Sequence, residues 1–407
     1  MPDGLKTALV LAGGGARGAY EAGVIRYLRE GLPEPARSRV RLDILCGVSV
    51  GAINACFLAA TAHRPRAQGR LLMHYWRALR AAEVYDFGWG DLFRVRRWLL
   101  GASLDPEQPV PPRRAGLLNT EPIERLVRHR VPWHRIAANL ASGALAALAV
   151  SATDIATGRT FVFVQTGDGA IPNWGRDPRR LAVGVTMAAS HALASAAIPL
   201  MFPPVEIDGR FFCDGGLRQN TPVSPALRLG ADRMLVVALR HEPRPRELSD
   251  LQRSRLRAYP GAVFLLGKVF NALLLDHLDY DLEQMRLINE MVDGGERAYG
   301  RDFLAQLNGV VAPLRGVGYR KVRTLVLRPS RDIGAIAARH ISGLNFGGPW
   351  RRLLKMGLRL AARGEEREEA DLLSYLLFDG PYVTELAELG YLDAAARRDE
   401  LVDFFGG

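Results

Sequence analysis

The chain has 407 residues, 48% of them hydrophobic and 24% charged, which excludes a disordered or low-complexity polymer and leaves ample material for a large core. The formal net charge is +11, from 54 lysines and arginines against 43 aspartates and glutamates; only Lys6, Lys268, Lys321 and Lys355 are lysine. Such a surface suits anionic partners, phospholipid headgroups or nucleic acid, and serves equally as the solvated face of an arginine-rich protein.

The first predicted element is the compact apolar run 6–12, which ends at glycines as a buried parallel strand does. Gly13-Gly14-Gly15-Ala16-Arg17-Gly18 follows, then a helical pattern over 21–32. A glycine-rich turn between strand and helix is an anion cradle, because its backbone N–H groups converge and the helix N-terminus adds positive potential. The spacing of Gly13, Gly15 and Gly18 fits a dinucleotide fingerprint formally, but that use needs an acidic residue at the end of the second strand. Asp43 stands near the start of that strand instead. The better reading is an oxyanion hole built over Gly13, Gly14, Gly15, Ala16, Arg17 and Gly18. Arg17 either assists it, meets a phosphate, or caps local structure.

The second strand, 42–46, opens through Gly47-Val48-Ser49-Val50-Gly51 into the helical run 52–59. A serine flanked at i−2 and i+2 by glycines on a strand-to-helix turn is a nucleophile elbow: the backbone passes too close for a Cβ at Gly47 and Gly51, and Ser49 is left exposed above the sheet. A helix is expected over 63–80. Residues 81–115 turn aromatic, basic and proline-rich, and 92–114 reads either as a cap that meets lipid or as an ordinary packed insertion. A strand over 144–151 takes 161–165 as its hairpin partner, and 181–197 reads as a helix of small residues ended by Pro199, Pro203 and Pro204. Asp208-Gly209 marks a hairpin turn before the short strand 211–213, and Asp214 stands at its end, followed by Gly215 and Gly216. Residues 233–239 form another buried strand.

Three ordered motifs, Gly13 to Gly18, Gly47 to Gly51 and Asp214-Gly215-Gly216, together with Ala194 to Pro199, Phe202-Pro203-Pro204 and Asn220-Thr221-Pro222-Val223, resemble the patatin-like phospholipase family over roughly residues 6–240. The resemblance implies an α/β fold of three layers, α/β/α, around a mainly parallel sheet. It implies a Ser49–Asp214 dyad without histidine, acting on phospholipid or another acyl-ester lipid. A solvated aspartate is a weak base; apolar surroundings at Phe211, Phe212 and Cys213 are expected to strengthen Asp214 by desolvation. The rival arrangement is a triad using His191, His241, His277 or His340.

The expected organisation is a catalytic core over 6–240, a helical insertion over 241–320, and a last strand with C-terminal helices over 321–407. Within the last part, 350–363 is a basic amphipathic segment, packed on the core or lying on a membrane surface. Cys46, Cys56 and Cys213 lack framework spacing and point to a reducing compartment. No stretch reaches about 18 uninterrupted apolar residues, and no signal-peptide region is seen, so a cytoplasmic protein with peripheral membrane contact is expected. No metal, no cofactor and no nucleic-acid partner are expected; the oligomeric state stays open. The function expected is a serine lipid acyl hydrolase of phospholipase A or lysophospholipase type. A transacylase using the same acyl-serine, and a non-catalytic basic membrane-binding module, are the alternatives.

Overall fold

The computed structural model describes residues 4–84, 116, 118–171, 174, 179–242, 278–343 and 374–406. The expected cap at 92–114 and the amphipathic segment at 350–363 lie outside them. Nine strands form one mixed sheet: β1 (Thr7–Leu11), β2 (Ile44–Val48), β3 (Ala147–Asp154), β4 (Thr160–Thr166), β5 (Arg180–Gly184), β6 (Val205–Ile207), β7 (Arg210–Asp214), β8 (Arg233–Val237) and β9 (Arg323–Leu327). Strands β3-β2-β1-β8-β9 are mutually parallel neighbours, and β4 joins β3 antiparallel. Every residue of β1 and β2 is buried, as expected of strands covered on both faces.

Helices connect and cover the sheet: α1 (Gly18–Arg26), α2 (Ala36–Arg39), α3 (Val50–Ala60), α4 (Pro65–Ala78), α5 (Ala81–Val84), α6 (Glu121–Arg130), α7 (His134–Ala141), α8 (Ala189–Ser195) and α9 (Val223–Arg228). Beyond β8 come α10 (Leu278–Tyr299) and α11 (Phe303–Arg315), then after β9 α12 (Ile333–Gly343), α13 (Gly380–Ala396) and α14 (Arg398–Gly406). Alternation along the strands sorts the core in two. Leu9, Leu11, Leu45 and Val150 face α1, α3, α4 and α13, whereas Ala8, Val10, Ile44 and Val236 face α9 and α10. Three layers result, with a hydrophobic core on each side of the sheet.

One secondary-structure expectation fails. Residues 181–184 are strand, not helix: β5 pairs parallel with β4 from Thr160↔Arg180 to Val164↔Gly184. Small residues weaken the local signal, and pairing with an existing edge decides the outcome. The helix is confined to Ala189–Ser195.

β3 positions the site. Its first five residues pair with β2, ending at Val48↔Ser151. Its last three pair antiparallel with β7, beginning at Ala152↔Asp214. The opposite edge of β3 is taken by β4, so β2 and β7 share one edge and run toward each other. They meet head to head between Ser151 and Ala152. Ser49, the residue after β2, and Asp214, the last of β7, therefore converge on one point.

Candidate active site

Ser49 has φ 55° and ψ −127°, a region that side-chain-bearing residues rarely occupy, and it is buried, not exposed above the sheet as the elbow alone implies. Holding it costs about 1–3 kcal/mol, met by the packing around it. A Cβ on Gly47 would lie 2.3 Å from Gly51 O, and one on Gly51 would lie 2.5 Å from Leu11 O, so the elbow closes only with glycine at both places. The turn is also held from outside. Ser49 N donates to Ser195 Oγ at 2.9 Å, and Ser195 Oγ donates to Ser151 O at 2.6 Å.

Ser49 Oγ donates to Asp214 Oδ2 at 2.6 Å. Asp214 Oδ1 accepts from Gly216 N at 2.7 Å, so the turn after the aspartate orients its carboxylate. Asp214 is 1% exposed, and burial pushes its pKa up to about 6 against the opposing effect of the Ser49 and Gly216 hydrogen bonds. Phe212 is buried as expected, but Phe211 is 39% exposed, contrary to the apolar surroundings expected of it.

The loop 13–18 faces the elbow: a Cβ on Gly13 would lie 3.1 Å from Ser49 Cβ. Three of its amides are already bonded to backbone carbonyls. Gly13 N donates to Asn220 O, Arg17 N to Gly14 O and Gly18 N to Gly15 O. The amides of Gly14, Gly15 and Ala16 take part in none of these bonds. Asn220 Nδ2 returns a bond to Gly13 O at 3.1 Å. Arg17 is buried, with its guanidinium turned onto Ser374 and Tyr375.

An apolar groove opens from Ser49. Val50, Ile53 and Phe57, one stripe of α3, line it with Trp76 of α4 and Val127 of α6. Across its base, Trp76 Nε1 donates to Asn54 Oδ1 at 3.1 Å, and Asn54 Nδ2 donates to Glu21 Oε2 at 2.8 Å and to Gly18 O at 3.2 Å. This chain ties the helix after Ser49 to the helix after the glycine loop. Complete burial pushes the Glu21 carboxyl well above its ordinary range.

His191 is buried, its ring tilted against that of Phe163 with centroids 4.7 Å apart, and it accepts the Ala188 N–H on Nδ1 as a helix cap. Burial lowers its pKa. His241 Nδ1 lies 2.9 Å from Pro329 O, and His340 Nε2 lies 2.7 Å from Glu385 Oε2. His277 is outside the described residues. Among the described residues no group of three or more His, Cys, Asp or Glu could hold a metal ion. No helix among them is long and apolar enough to cross a membrane. All three cysteines are free and buried.

A family model described as patatin-like phospholipase matches residues 9–227, more than half of the chain. The chain belongs to the patatin-like phospholipase family. A cGAMP-activated phospholipase of Pseudomonas aeruginosa is 28% identical over 214 residues, which are 53% of this chain and 53% of that relative. The chain thus spans about half the length of that relative. Among solved structures, VipD from Legionella pneumophila aligns at a TM-score of 0.35 and 16% identity, covering 91% of this chain and 66% of VipD. The ExoU–SpcU complex of the type III secretion system of Pseudomonas aeruginosa gives 0.28 and 15%, with 97% of this chain and 76% of the other covered.

Several residues placed at the site carry no role in the sequence reading. Ser195 and Asn220 lie inside family-like motifs that name no partner for them. Asn54, Glu21, Ser374 and Tyr375 give no local signal, since they act through contacts formed only on folding.

Proposed function

We propose that this family member is a serine lipid acyl hydrolase of phospholipase A or lysophospholipase type, with Ser49 as nucleophile and Asp214 as base. The 2.6 Å hydrogen bond between their side chains, at the head of an apolar groove, carries the reading. Ser49 Oγ attacks the ester carbonyl carbon while its proton passes to Asp214 Oδ2. Negative charge developing on the carbonyl oxygen is held by the amides of Gly14, Gly15 and Ala16. As the C–O bond to the alcohol breaks, the alcohol leaves with the proton from Asp214. Water then gives a proton to Asp214, attacks the acyl-serine, and releases the fatty acid as the proton returns to Ser49 Oγ.

Burial supports the base role of Asp214, since a carboxylate poised near pH 6 accepts a proton better than a solvated one. The groove's apolar stripe supports an acyl chain as the group held beside Ser49. A fluorophosphonate probe is expected to label the wild type and not Ser49→Ala, and a phospholipid panel to yield free fatty acid with the wild type alone. Equal labelling of both proteins, or lipid binding indifferent to Ser49 without product, would overturn the reading in favour of a binding module.

A further inference from the structure

The family match ends at residue 227, yet the pocket does not. Tyr375, Leu376 and Phe378 line the groove that opens from Ser49. They are delivered there by α13, which crosses α1 with backbones in contact. A Cβ on Gly23 would lie 1.8 Å from Ala387 O, and one on Gly390 would lie 2.1 Å from Tyr20 O. Such a crossing has no slack, so the strap 374–378 just before α13 is set over the glycine loop that precedes α1.

Its contacts are specific. Ser374 is fully buried, and its Oγ accepts from Arg17 Nε at 2.8 Å and Nη2 at 2.5 Å. The Arg17 guanidinium lies 4.0 Å above the Tyr375 ring. Tyr375 O fills the space a Cβ on Gly15 would need, at 2.2 Å, while Gly15 itself sits at φ +55°. Tyr382 Oη donates to Ser374 O at 3.2 Å and anchors the strap to α13. Phe378 stacks nearly parallel on Trp76, with centroids 6.4 Å apart. Trp76 in turn donates to Asn54, five residues along α3 from Ser49, about 7.5 Å at the helical rise per residue.

We propose that the strap 374–378 completes the active site: Ser374 and Tyr375 position the oxyanion loop through Arg17, and Phe378 is the wall that sorts acyl chains by length. The inference rests on Ser49 being the nucleophile. Arg17 follows Ala16 directly, so a guanidinium locked between Ser374 and Tyr375 fixes the loop amides. The strap then acts on the transition state, where the oxyanion forms, more than on substrate binding.

The test uses the full chain with p-nitrophenyl butyrate and decanoate, and Ser49→Ala as the reference. Ser374→Ala and Arg17→Lys are each expected to lower kcat about tenfold on both esters with KM nearly unchanged. The double variant is expected to fall well short of the product of the two single losses, because the Arg17–Ser374 contact is common to both. Ser374→Thr keeps the hydroxyl and is expected to recover most of the lost kcat. Phe378→Ala is expected to shift the decanoate-to-butyrate ratio of kcat/KM by about fivefold or more. Should an alanine variant fold poorly, Ser374→Cys, whose thiol is a weak acceptor, and Phe378→Leu, compared at matched thermal stability, carry the same comparison. Ser49-dependent hydrolysis with multiplicative Ser374 and Arg17 effects, or with an unchanged chain-length ratio in Phe378→Ala, overturns the strap and leaves the Ser49 reading intact. Hydrolysis that does not depend on Ser49 overturns both.

Discussion

Two carboxylates in this molecule make equally short side-chain contacts and differ in almost everything else. Asp214 meets the Ser49 hydroxyl at 2.6 Å, and Glu385 meets the His340 ring at 2.7 Å. Asp214 is 1% exposed and has a hydroxyl and an amide for partners, so burial prevails and its pKa rises to about 6. Burial would also raise Glu385, but the His340 bond and the charges of Arg339 and Arg331 outweigh it and hold Glu385 below its ordinary value. A short contact alone does not make a base. A buried carboxylate opposite a neutral donor keeps its affinity for a proton, whereas one opposite cations gives it up.

The largest effect expected from this contrast is on chemistry. Ser49→Ala and Asp214→Ala should each lower ester hydrolysis by about 10³-fold or more, and the double variant should be no worse than the single ones, since the two groups act as a unit. Independent, multiplicative losses would break the pairing. The pH profile follows the same logic. The base form of Asp214 is the active one, so kcat/KM should climb about tenfold per pH unit below pH 6 and level off above it. A profile flat down to pH 4.5 would mean that a stronger acid than Asp214 controls the reaction.

Stability should move the opposite way. Asp214 is protonated in both folded and unfolded states below about pH 3.8, and only in the folded state between there and about pH 6. Across that window the folded state binds the extra proton, so its stability falls as pH rises, by at most about 3 kcal/mol, and stays lowered above pH 6. Asp214→Asn removes the ionisation; its single amide oxygen can still accept from Gly216 N while its NH2 donates to Ser49 Oγ. It should therefore unfold a few degrees higher than the wild type at pH 8, and the gain should vanish near pH 4. Thermal melts at both pH values check this; a variant less stable at pH 8 would show that the buried charge is compensated elsewhere.

What the sequence discloses follows the range of the interactions. The strand-turn-helix units around Gly13 to Gly18 and Gly47 to Gly51 are legible because apolar runs and obligatory glycines are local signals. The parallel sheet is legible for the same reason. Arg180–Gly184 is misread because its strand character comes from β4, not from its own small residues. The meeting of Ser49 with Asp214 depends on β2 and β7 sharing an edge of β3, a register that motif resemblance anticipates but composition does not. The grip of Ser374 on Arg17 spans 357 positions and has no periodicity to betray it.

A histidine at the site would dilute the contrast, and His191 is the one to remove. Its Nδ1 already accepts the Ala188 N–H, and burial favours its neutral form. His191→Ala should cost about 1 kcal/mol of stability through the lost cap and leave ester hydrolysis within about twofold of wild type. Activity lost to the degree expected of Asp214→Ala would restore the triad.

The smallest effect belongs to Glu385, and it sharpens the comparison from the other side. Glu385 bridges α13 to Arg331, Arg339 and His340 at a partly exposed site. Its folded-state pKa is depressed, so its contribution is present above the unfolded value and is lost as pH falls through the lower, folded one. Partly exposed pairs of this kind give about 1 kcal/mol or less, and salt screens them. Glu385→Gln should thus lower the melting temperature slightly at neutral pH in low salt and scarcely at all in 0.5 M salt (about 4 Å of screening length). Hydrolysis should be unchanged. Were Glu385→Gln to stabilise the fold as Asp214→Asn is expected to, the cations around Glu385 would not be offsetting its burial, and proximity rather than partner chemistry would be setting both carboxylates.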